Sequence, residues 1–268
     1  MAPTESHCAG GKGMAGALAI TGAGRNIGRA IALRMAREGW AVAISDINGD
    51  SASAVAAEIE NHGGRALGNQ VDVTDASAVG AWVDEVDRKL GGLTGAVSNA
   101  GILTVGPLVD VTPEAWRRVM AVNLDGAFFF CRAAARRMAA RGGGSIVILA
   151  SAASRRASEG LGPYSTSKTA LHGLTRNLAL ELSPHKVRVN AISPGIVDTD
   201  MWELIDRRKA EIHGRQPGEV FADMVKMVPL GRAEQPEDVA TCAAFLLSDE
   251  ANYMTGQNIS YDGGFQMP

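Results

Sequence analysis

Short apolar runs alternate with longer amphipathic segments through most of the chain. Five runs are rich in Ala, Val and Ile and are apolar at consecutive positions, as expected for strands that helices cover on both faces. They lie at 17–21, 41–45, 95–99, 145–150 and 187–193. Segments with helical periodicity lie between runs, at 27–39, 51–64 and 76–92. Repeated strand-helix-strand units predict an α/β fold, with about seven strands in a doubly wound parallel sheet and helices on both faces.

No internal repeat or Pro-rich linker divides the chain, so we expect a single domain over residues 17–268. The Gly-rich start, residues 1–16, has no period and is expected to be a flexible arm. Residues 201–232 are amphipathic and interrupt the regular alternation of strands and helices, which predicts a small helical substrate lid over a cleft. Five of its apolar side chains either wall a compact pocket or pack the lid against the body: Met201, Trp202, Ile205, Phe221 and Met224.

Composition and charge are those of an ordinary globular protein. The 268 residues include 26 basic and 29 acidic side chains, a formal charge of −3, so neither nucleic acid nor a membrane surface is an expected partner. No apolar run reaches the roughly 18 residues of a membrane span, and the start lacks the apolar core of a signal peptide. We therefore expect a cytoplasmic protein. The three scattered Cys and five scattered His predict neither a disulfide framework nor a metal site.

A glycine-rich turn, Thr21 to Gly28, follows the first strand and leads directly into the first helix. Glycines let the backbone approach a pyrophosphate, and free N–H groups at the helix start attract its charge. Because strand-to-helix turns need Gly for their geometry alone, the turn is weak evidence by itself. Asp46 ends the second strand about 20 residues later, where a carboxylate binds the ribose hydroxyls of an adenosine.

Asp46 and Arg25 point to different cofactors. A 2′-phosphate would place like charge against Asp46, so NAD is favoured over NADP. Arg25, beside the phosphate turn, argues the other way because a cation there pairs with a 2′-phosphate. NAD is the expected cofactor and NADP the alternative.

Tyr164 and Lys168 lie four residues apart at the start of a long helical pattern, which places the phenol and the ammonium on one face. This pair suits proton transfer to an alcohol oxygen during hydride transfer, since an adjacent ammonium favours the phenolate. The spacing arises by chance often enough to need support. Ser151 gives it, because it ends the strand 145–150 where open α/β sheets bind ligands. Asn123 is either an amide for a water relay or a local helix cap.

These motifs together resemble the short-chain dehydrogenase/reductase family, from about residue 17 to residue 264. The turn at 21–28 resembles TGxxxGxG, VDVTD holds the adenine-side Asp72, and Ser98-Asn-Ala-Gly101 is similar to NNAG. Asn26 replaces the second Gly of the first motif and Ser98 the first Asn of the last. Asn26 must adopt the backbone that the turn demands, which Asn tolerates better than most residues.

The resemblance implies a Rossmann-type fold and an oxidoreductase that transfers a hydride between NAD(H) and a small secondary alcohol or ketone. In that family pattern Tyr164 is the acid/base and Ser151 holds the substrate oxygen. Lys168 lowers the tyrosine pKa and Asn123 anchors a water. The resemblance also implies cofactor contacts from a larger set. Its members are Gly22, Arg25, Asn26, Ile27, Gly28, Asp46, Asp72, Val73, Asn99, Ala100, Gly101, Tyr164, Lys168, Pro194, Gly195, Val197 and Thr199.

The residues around the lid resemble the branch of the family that contains acetoin/butanediol reductases and sorbitol- or galactitol-type polyol dehydrogenases. The expected substrate is therefore a diol, polyol or sugar alcohol. A 3-oxoacyl thioester reductase using NADPH is one alternative, and a cofactor-binding scaffold or redox sensor without turnover is another. The family resemblance also implies a homo-oligomer, a dimer or tetramer, formed through the long helices near 113–140 and 162–183.

Overall fold

The structure is a computed structural model that describes residues 16–267. The flexible arm predicted for residues 1–16 therefore lies outside the described residues, except for Gly16. Within this range one parallel sheet has the strand order β3-β2-β1-β4-β5-β6-β7. Its strands are β1 (Ala17–Thr21), β2 (Ala41–Asp46), β3 (Arg65–Gln70), β4 (Leu93–Ser98), β5 (Gly144–Leu149), β6 (Val187–Pro194) and β7 (Asn258–Tyr261). The doubly wound α/β prediction is confirmed.

Helices connect these strands. They are α1 (Asn26–Arg37), α2 (Gly49–Asn61), α3 (Ala76–Lys89), α4 (Pro113–Met120), α5 (Gly126–Arg141), α6 (Gly162–Leu182), α7 (Asp200–His213), α8 (Glu219–Lys226) and α9 (Pro236–Leu247). A π-helical turn, Ala121–Asp125, joins α4 to α5. Among the helices of residues 16–267, none has both the length and the apolar character needed to cross a bilayer.

Both faces of the sheet are buried, which explains the consecutive apolar positions in its strands. On one face Leu18 and Ile20 pack with apolar side chains of α1, α2 and α9. On the other face Ala17 and Ala19 pack with side chains of α3, α5 and α6. The chain runs from β1 outward to β3 and then returns to the far side of β1 with β4. That reversal leaves a crevice above the carboxyl ends of β1 and β4, where such sheets bind ligands.

Three helix ends and one strand differ from the predicted ones for physical reasons. The predicted helices included their terminal glycines, but Gly39, Gly63 and Gly91 have φ of +92°, +79° and +90° and lie beyond the helix ends. The sequence pattern also missed β3. This strand forms one edge of the sheet and includes exposed Arg65 and Gln70, so it lacks the continuous apolar run of the other strands.

The predicted lid segment folds as the helix pair α7 and α8. Asp206 of α7 is buried, and its carboxylate accepts hydrogen bonds from the backbone N–H groups of Gly218 (2.5 Å) and Phe221 (2.8 Å). The Trp202 and Phe221 rings pack with their centroids 5.8 Å apart. These contacts join the two helices into one unit beside the crevice.

Candidate active site

One cleft of about 1060 Å³ lies at the carboxyl ends of the strands. The loops that follow β1 to β6 line it, and the helix pair α7–α8 covers one end. The cleft is at the upper end of the size range of ordinary ligand sites, so it can hold an extended cofactor and a small substrate together.

The structure brings nearly all of the predicted site residues to this cleft. Ser151, Tyr164 and Lys168 line it, and so does every predicted cofactor contact except Gly28. Asn123 also lies behind the cleft wall rather than in it. Residues from seven separate parts of the sequence therefore lie around one cleft.

The glycine-rich turn is shaped by close backbone packing. A Cβ added to Gly28 would lie 2.5 Å from the carbonyl oxygen of Gly22, so position 28 has no room for a side chain. The Asn99 amide donates to that same Gly22 oxygen at 2.7 Å. Asn26 has φ of +49°, the left-handed conformation expected for it. Gly28 thus shapes the turn without touching the cleft.

Asp46 and Arg25 lie on opposite sides of this turn. The Asp46 carboxylate accepts hydrogen bonds from the N–H groups of Gly24 (3.0 Å) and Asn48 (3.1 Å). The Arg25 guanidinium instead forms an ion pair with Asp200 at the start of α7, with 2.8 Å between Nη1 and Oδ2. Arg25 is therefore held towards the helix pair, whereas Asp46 marks the end of the cleft formed by β2.

Tyr164 and Lys168 are buried next to the half-buried Ser151 at the opposite end of the cleft. Tyr164 is 9% exposed and Lys168 is 4% exposed. The Lys168 ammonium donates to the carbonyl oxygen of Leu149 at 2.6 Å and lies 5.7 Å from the centre of the Tyr164 ring. The Tyr164 phenol interacts with the Ser151 hydroxyl. A phenol, a hydroxyl and an ammonium thus surround one small volume.

Burial dominates the titration of this cluster. It raises the pKa of the Tyr164 phenol, and the hydrogen bond with Ser151 acts in the opposite direction. It also lowers the pKa of the Lys168 ammonium to about 8. The spacing of the two residues predicted a phenol of lowered pKa, so the direction in the protein differs because loss of solvation penalises the phenolate.

Asn123 lies in the π-helical turn, a feature that is frequent at functional sites. Its Oδ1 accepts from the N–H of Ile102 at 2.8 Å, and its Nδ2 donates to Ile102 O and to the Ser167 hydroxyl, each at 2.9 Å. Both amide N–H groups are therefore used within the chain, so a water held by Asn123 would have to donate to one of its oxygen atoms. Asn123 also ties the loop after β4 to the helix that carries Tyr164 and Lys168.

The substrate end of the cleft combines apolar walls with a few polar groups. Four of the five predicted lid side chains line it, namely Met201, Trp202, Ile205 and Met224. Phe221 packs behind Trp202 instead. Four of the predicted side chains therefore form a wall of the cleft, whereas Phe221 packs within the helix pair.

The C-terminal tail completes this end of the cleft. Phe265 and Gln266 line it, Gln266 Nε2 donates to the carbonyl oxygen of Ala152 at 2.5 Å, and the Arg156 guanidinium carbon lies 5.1 Å from the centre of the Phe265 ring. The sequence pattern did not assign these residues to the site. Only the chain reversal at β7 brings them beside Ser151, and no local motif signals it.

The chain is similar to known proteins over most of its length. A family model described as enoyl-(acyl carrier protein) reductase matches residues 22–266. L-2,3-butanediol dehydrogenase of Corynebacterium glutamicum is 39% identical over 250 residues, which cover 91% of this chain and 96% of the relative. Galactitol 2-dehydrogenase of Agrobacterium fabrum is 40% identical over 246 residues, covering 91% and 95%. The crystal structure of an NAD⁺-bound xylitol dehydrogenase superimposes with a TM-score of 0.90 at 36% identity, covering 93% of this chain and 98% of that one.

The chain therefore belongs to the short-chain dehydrogenase/reductase family. It is an oxidoreductase that acts on CH–OH groups.

Proposed function

We propose that this protein is an NAD-dependent dehydrogenase that interconverts a small diol, polyol or sugar alcohol and the corresponding ketone. The observation that carries the proposal is the placement of Ser151, Tyr164 and Lys168 at one end of a cleft whose other end is the glycine-rich turn and Asp46. The butanediol, galactitol and xylitol dehydrogenases that it resembles support the substrate class.

The long end of the cleft fits a dinucleotide. A Cβ added to Gly22 would lie 2.7 Å from the Ala100 Cα, so position 22 has no room for a side chain. Gly22 lines the cleft, where its backbone would border the pyrophosphate. Asp46 would hold the adenosine ribose, Asp72 and Val73 would border the adenine, and the segments 99–101 and 194–199 would hold the nicotinamide half. When bound, the cofactor supplies the acceptor for the hydride and, in its oxidised form, a positive charge.

The residues of the reactive cluster then divide the proton chemistry between them. Ser151 holds the substrate oxygen by a hydrogen bond, and Tyr164 removes the proton of the hydroxyl. Because burial raises the pKa of Tyr164, the phenolate needs positive charge nearby. Lys168 provides it, since a pKa of about 8 leaves most of its ammonium charged at neutral pH. Asn123 contributes by holding the helix of Tyr164 and Lys168 in place.

Asp46 is expected to set the preference for NAD. Asp46→Asn keeps the size and a hydrogen-bond acceptor for the Gly24 N–H but removes the charge that would repel a 2′-phosphate. We expect the ratio of kcat/KM with NADP to kcat/KM with NAD to rise roughly tenfold or more, because like charges in contact cost several kcal/mol. Steady-state kinetics with both cofactors measure this ratio. A wild-type enzyme that prefers NADP, or a ratio unchanged by the substitution, would contradict the role of Asp46.

The reductase alternative depended on Arg25 as the partner of a 2′-phosphate. The Arg25 guanidinium pairs with Asp200 in an exposed ion pair, so a 2′-phosphate would have to compete with that carboxylate as well as with the charge of Asp46. A scaffold without turnover has no use for a buried phenol and ammonium, which are costly to bury. The deciding experiment is a panel of diols, polyols, simple secondary alcohols and 3-oxoacyl thioesters with both cofactors. Highest kcat/KM on a thioester with NADPH would overturn the proposal.

Gln266 is expected to favour substrates with a second hydroxyl group. Gln266 lines the cleft, and its Oε1 is a buried acceptor without a hydrogen-bond partner within the described part of the chain, so a rotation of the side chain would bring it to a substrate hydroxyl. Gln266→Leu should lower kcat/KM for a vicinal diol by roughly 3- to 10-fold, the value of one hydrogen bond. A simple secondary alcohol of the same length serves as the matched control, since it has no group for Oε1. Equal losses on both alcohols would contradict this role.

We further propose that the protein works in the cytoplasm as a homo-oligomer, a dimer or tetramer. The large apolar side chains of Phe128 on α5 and Leu180 on α6 are 42% and 77% exposed, which favours burial of these helices against another subunit. The nearby Ala134 and Ala135 pack inside the chain's own core and are not available for such a contact. Light scattering on the purified protein measures the subunit number.

A further inference from the structure

Glu234 is a buried carboxyl group next to the cofactor site that the mechanism above does not use. It is 9% exposed and lies between α8 and α9. Its backbone pairs with the segment that follows β6, because its N–H donates to Ile196 O and its carbonyl accepts from Asp198 N–H, each at 2.9 Å. Its carboxylate oxygen Oε2 accepts from the N–H of Gly195 at 2.8 Å. Three hydrogen bonds from one residue thus hold the segment 195–198, which borders the cleft.

The second carboxyl oxygen of Glu234 is left in an unfavourable place. Oε1 is buried and has no hydrogen-bond partner among residues 16–267. Glu234 lines a separate cavity of about 250 Å³ together with Ser260, whose hydroxyl is also buried and without a partner in the described chain. Burial of an oxygen without a hydrogen-bond partner costs much more free energy in a charged carboxylate than in a neutral carboxylic acid.

The groups around Glu234 add to this penalty. Asp238 and Cys242 face it from α9, Asp262 and Tyr261 face it from the end of β7, and Arg232 precedes it in the loop. The Arg232 guanidinium is already engaged by both Asp238 oxygens, at 2.6 and 2.9 Å. Burial, with the charges of Asp238 and Asp262, raises the pKa of Glu234 to about 8, although the Gly195 N–H and Arg232 act in the opposite direction.

We propose that Glu234 is a positioning residue for the nicotinamide half of the cofactor site: in its neutral form it holds the segment 195–198, and its ionisation weakens cofactor binding. The inference rests on the cofactor site proposed above. A carboxyl group that binds its proton more tightly in the folded chain than in the unfolded one stabilises the fold fully below the ordinary value of 4.5. That contribution is lost as the pH rises through about 8. Ionisation would place negative charge on the buried Oε1 against two other carboxylates. The Gly195 N–H favours the charged oxygen, so the repulsion is relieved by displacement of Glu234, which disturbs its backbone hydrogen bonds to Ile196 and Asp198.

The test compares equilibrium binding of NAD to the wild type and to Glu234→Gln by calorimetry. Gln keeps an acceptor for the Gly195 N–H but does not ionise. The ratio of the wild-type Kd to the variant Kd should rise about tenfold between roughly pH 7 and pH 9, since binding then requires protonation of a group with a pKa near 8. Lys168 loses charge over the same range in both proteins, so its effect cancels in the ratio. Glu237→Gln, at an exposed position of α9, is the matched control. The ratio of the wild-type Kd to the Glu237→Gln Kd should not change with pH.

A second measurement does not depend on any variant. In the cofactor-free wild type with ¹³C-labelled glutamate, one side-chain carboxyl signal should titrate near pH 8, far above the other glutamates. Absence of such a signal would overturn the inference, and so would a Kd ratio independent of pH. A wild type that binds no NAD at either pH would overturn this inference together with the proposed function, whereas pH-independent binding in both proteins would overturn the inference alone.

Discussion

Replacing Tyr164 with Phe is expected to lower kcat for alcohol oxidation by roughly 10²- to 10⁴-fold, the usual contribution of a positioned acid or base. The phenol oxygen is the group that faces the Ser151 hydroxyl inside the cleft, and Phe has no atom that can take the substrate proton. The ring itself remains, so the packing against Leu161 and Ile205 is kept. Steady-state kinetics with a diol or polyol measure kcat, and calorimetry measures the affinity for NAD.

The Kd for NAD should stay within about twofold of the wild-type value in Tyr164→Phe, because most of the dinucleotide contacts lie at the other end of the cleft. Tyr253→Phe is the matched control: this tyrosine is fully exposed, and its loss should leave both constants unchanged. If Tyr164→Phe kept most of its turnover, Tyr164 would not be the acid/base, and the interpretation of the whole cluster would be wrong.

Replacing Lys168 with Met is expected to lower kcat/KM by roughly 10²- to 10³-fold, comparable with the loss of one charge-stabilising group in an active site. The substitution removes the cation beside a phenol whose pKa burial already raises, so the phenolate becomes still harder to form. Met fills a similar apolar volume, which limits the change in packing. The affinity for NAD should also fall, because Lys168 is one of the cofactor contacts that the family resemblance implies.

The pH dependence distinguishes this electrostatic role from simple damage to the fold. The pKa of Lys168 is lowered to about 8, so its ammonium is present below that pH and is lost as the pH rises through it. The ratio of wild-type to Lys168→Met kcat/KM should therefore be largest near neutrality and fall as the solution becomes alkaline. Lys89→Met, which removes an exposed lysine paired with Glu85 on α3, is the control. A ratio that stays constant with pH would indicate structural damage instead.

The strands and the reactive set were predictable because their signals are local. A strand covered on both faces is apolar at every position, as at Leu18, Ala19 and Ile20, and this is visible without knowledge of the fold. The turn at 21–28 and the Tyr164 and Lys168 pair are likewise short patterns whose chemistry depends on neighbours in sequence. By contrast, β3 lies at the edge of the sheet and buries only one of its six residues, so it has no continuous apolar run.

The remaining features depend on contacts between distant parts of the chain. Gln266 reaches Ala152 across more than a hundred residues, and Glu234 reaches Gly195 across 39. The direction of the Tyr164 pKa depends on burial by surrounding elements, which the spacing from Lys168 does not contain. The hydrogen bonds of Asn123 similarly follow from the packing of the loop after β4 against α6. Sequence patterns thus identified which groups meet in the cleft but not how their surroundings alter them.

The most direct measurement follows the hydrogen that the proposed reaction moves. A diol or polyol that the enzyme oxidises is deuterated at the reacting carbinol carbon and incubated with NAD, and the reduced cofactor is analysed by mass spectrometry and NMR. The account predicts one deuterium on the nicotinamide ring for each molecule of ketone formed, delivered to a single face. Reduced cofactor without deuterium, or ketone formed without reduction of NAD, would contradict the assignment of this cleft as the site of hydride transfer.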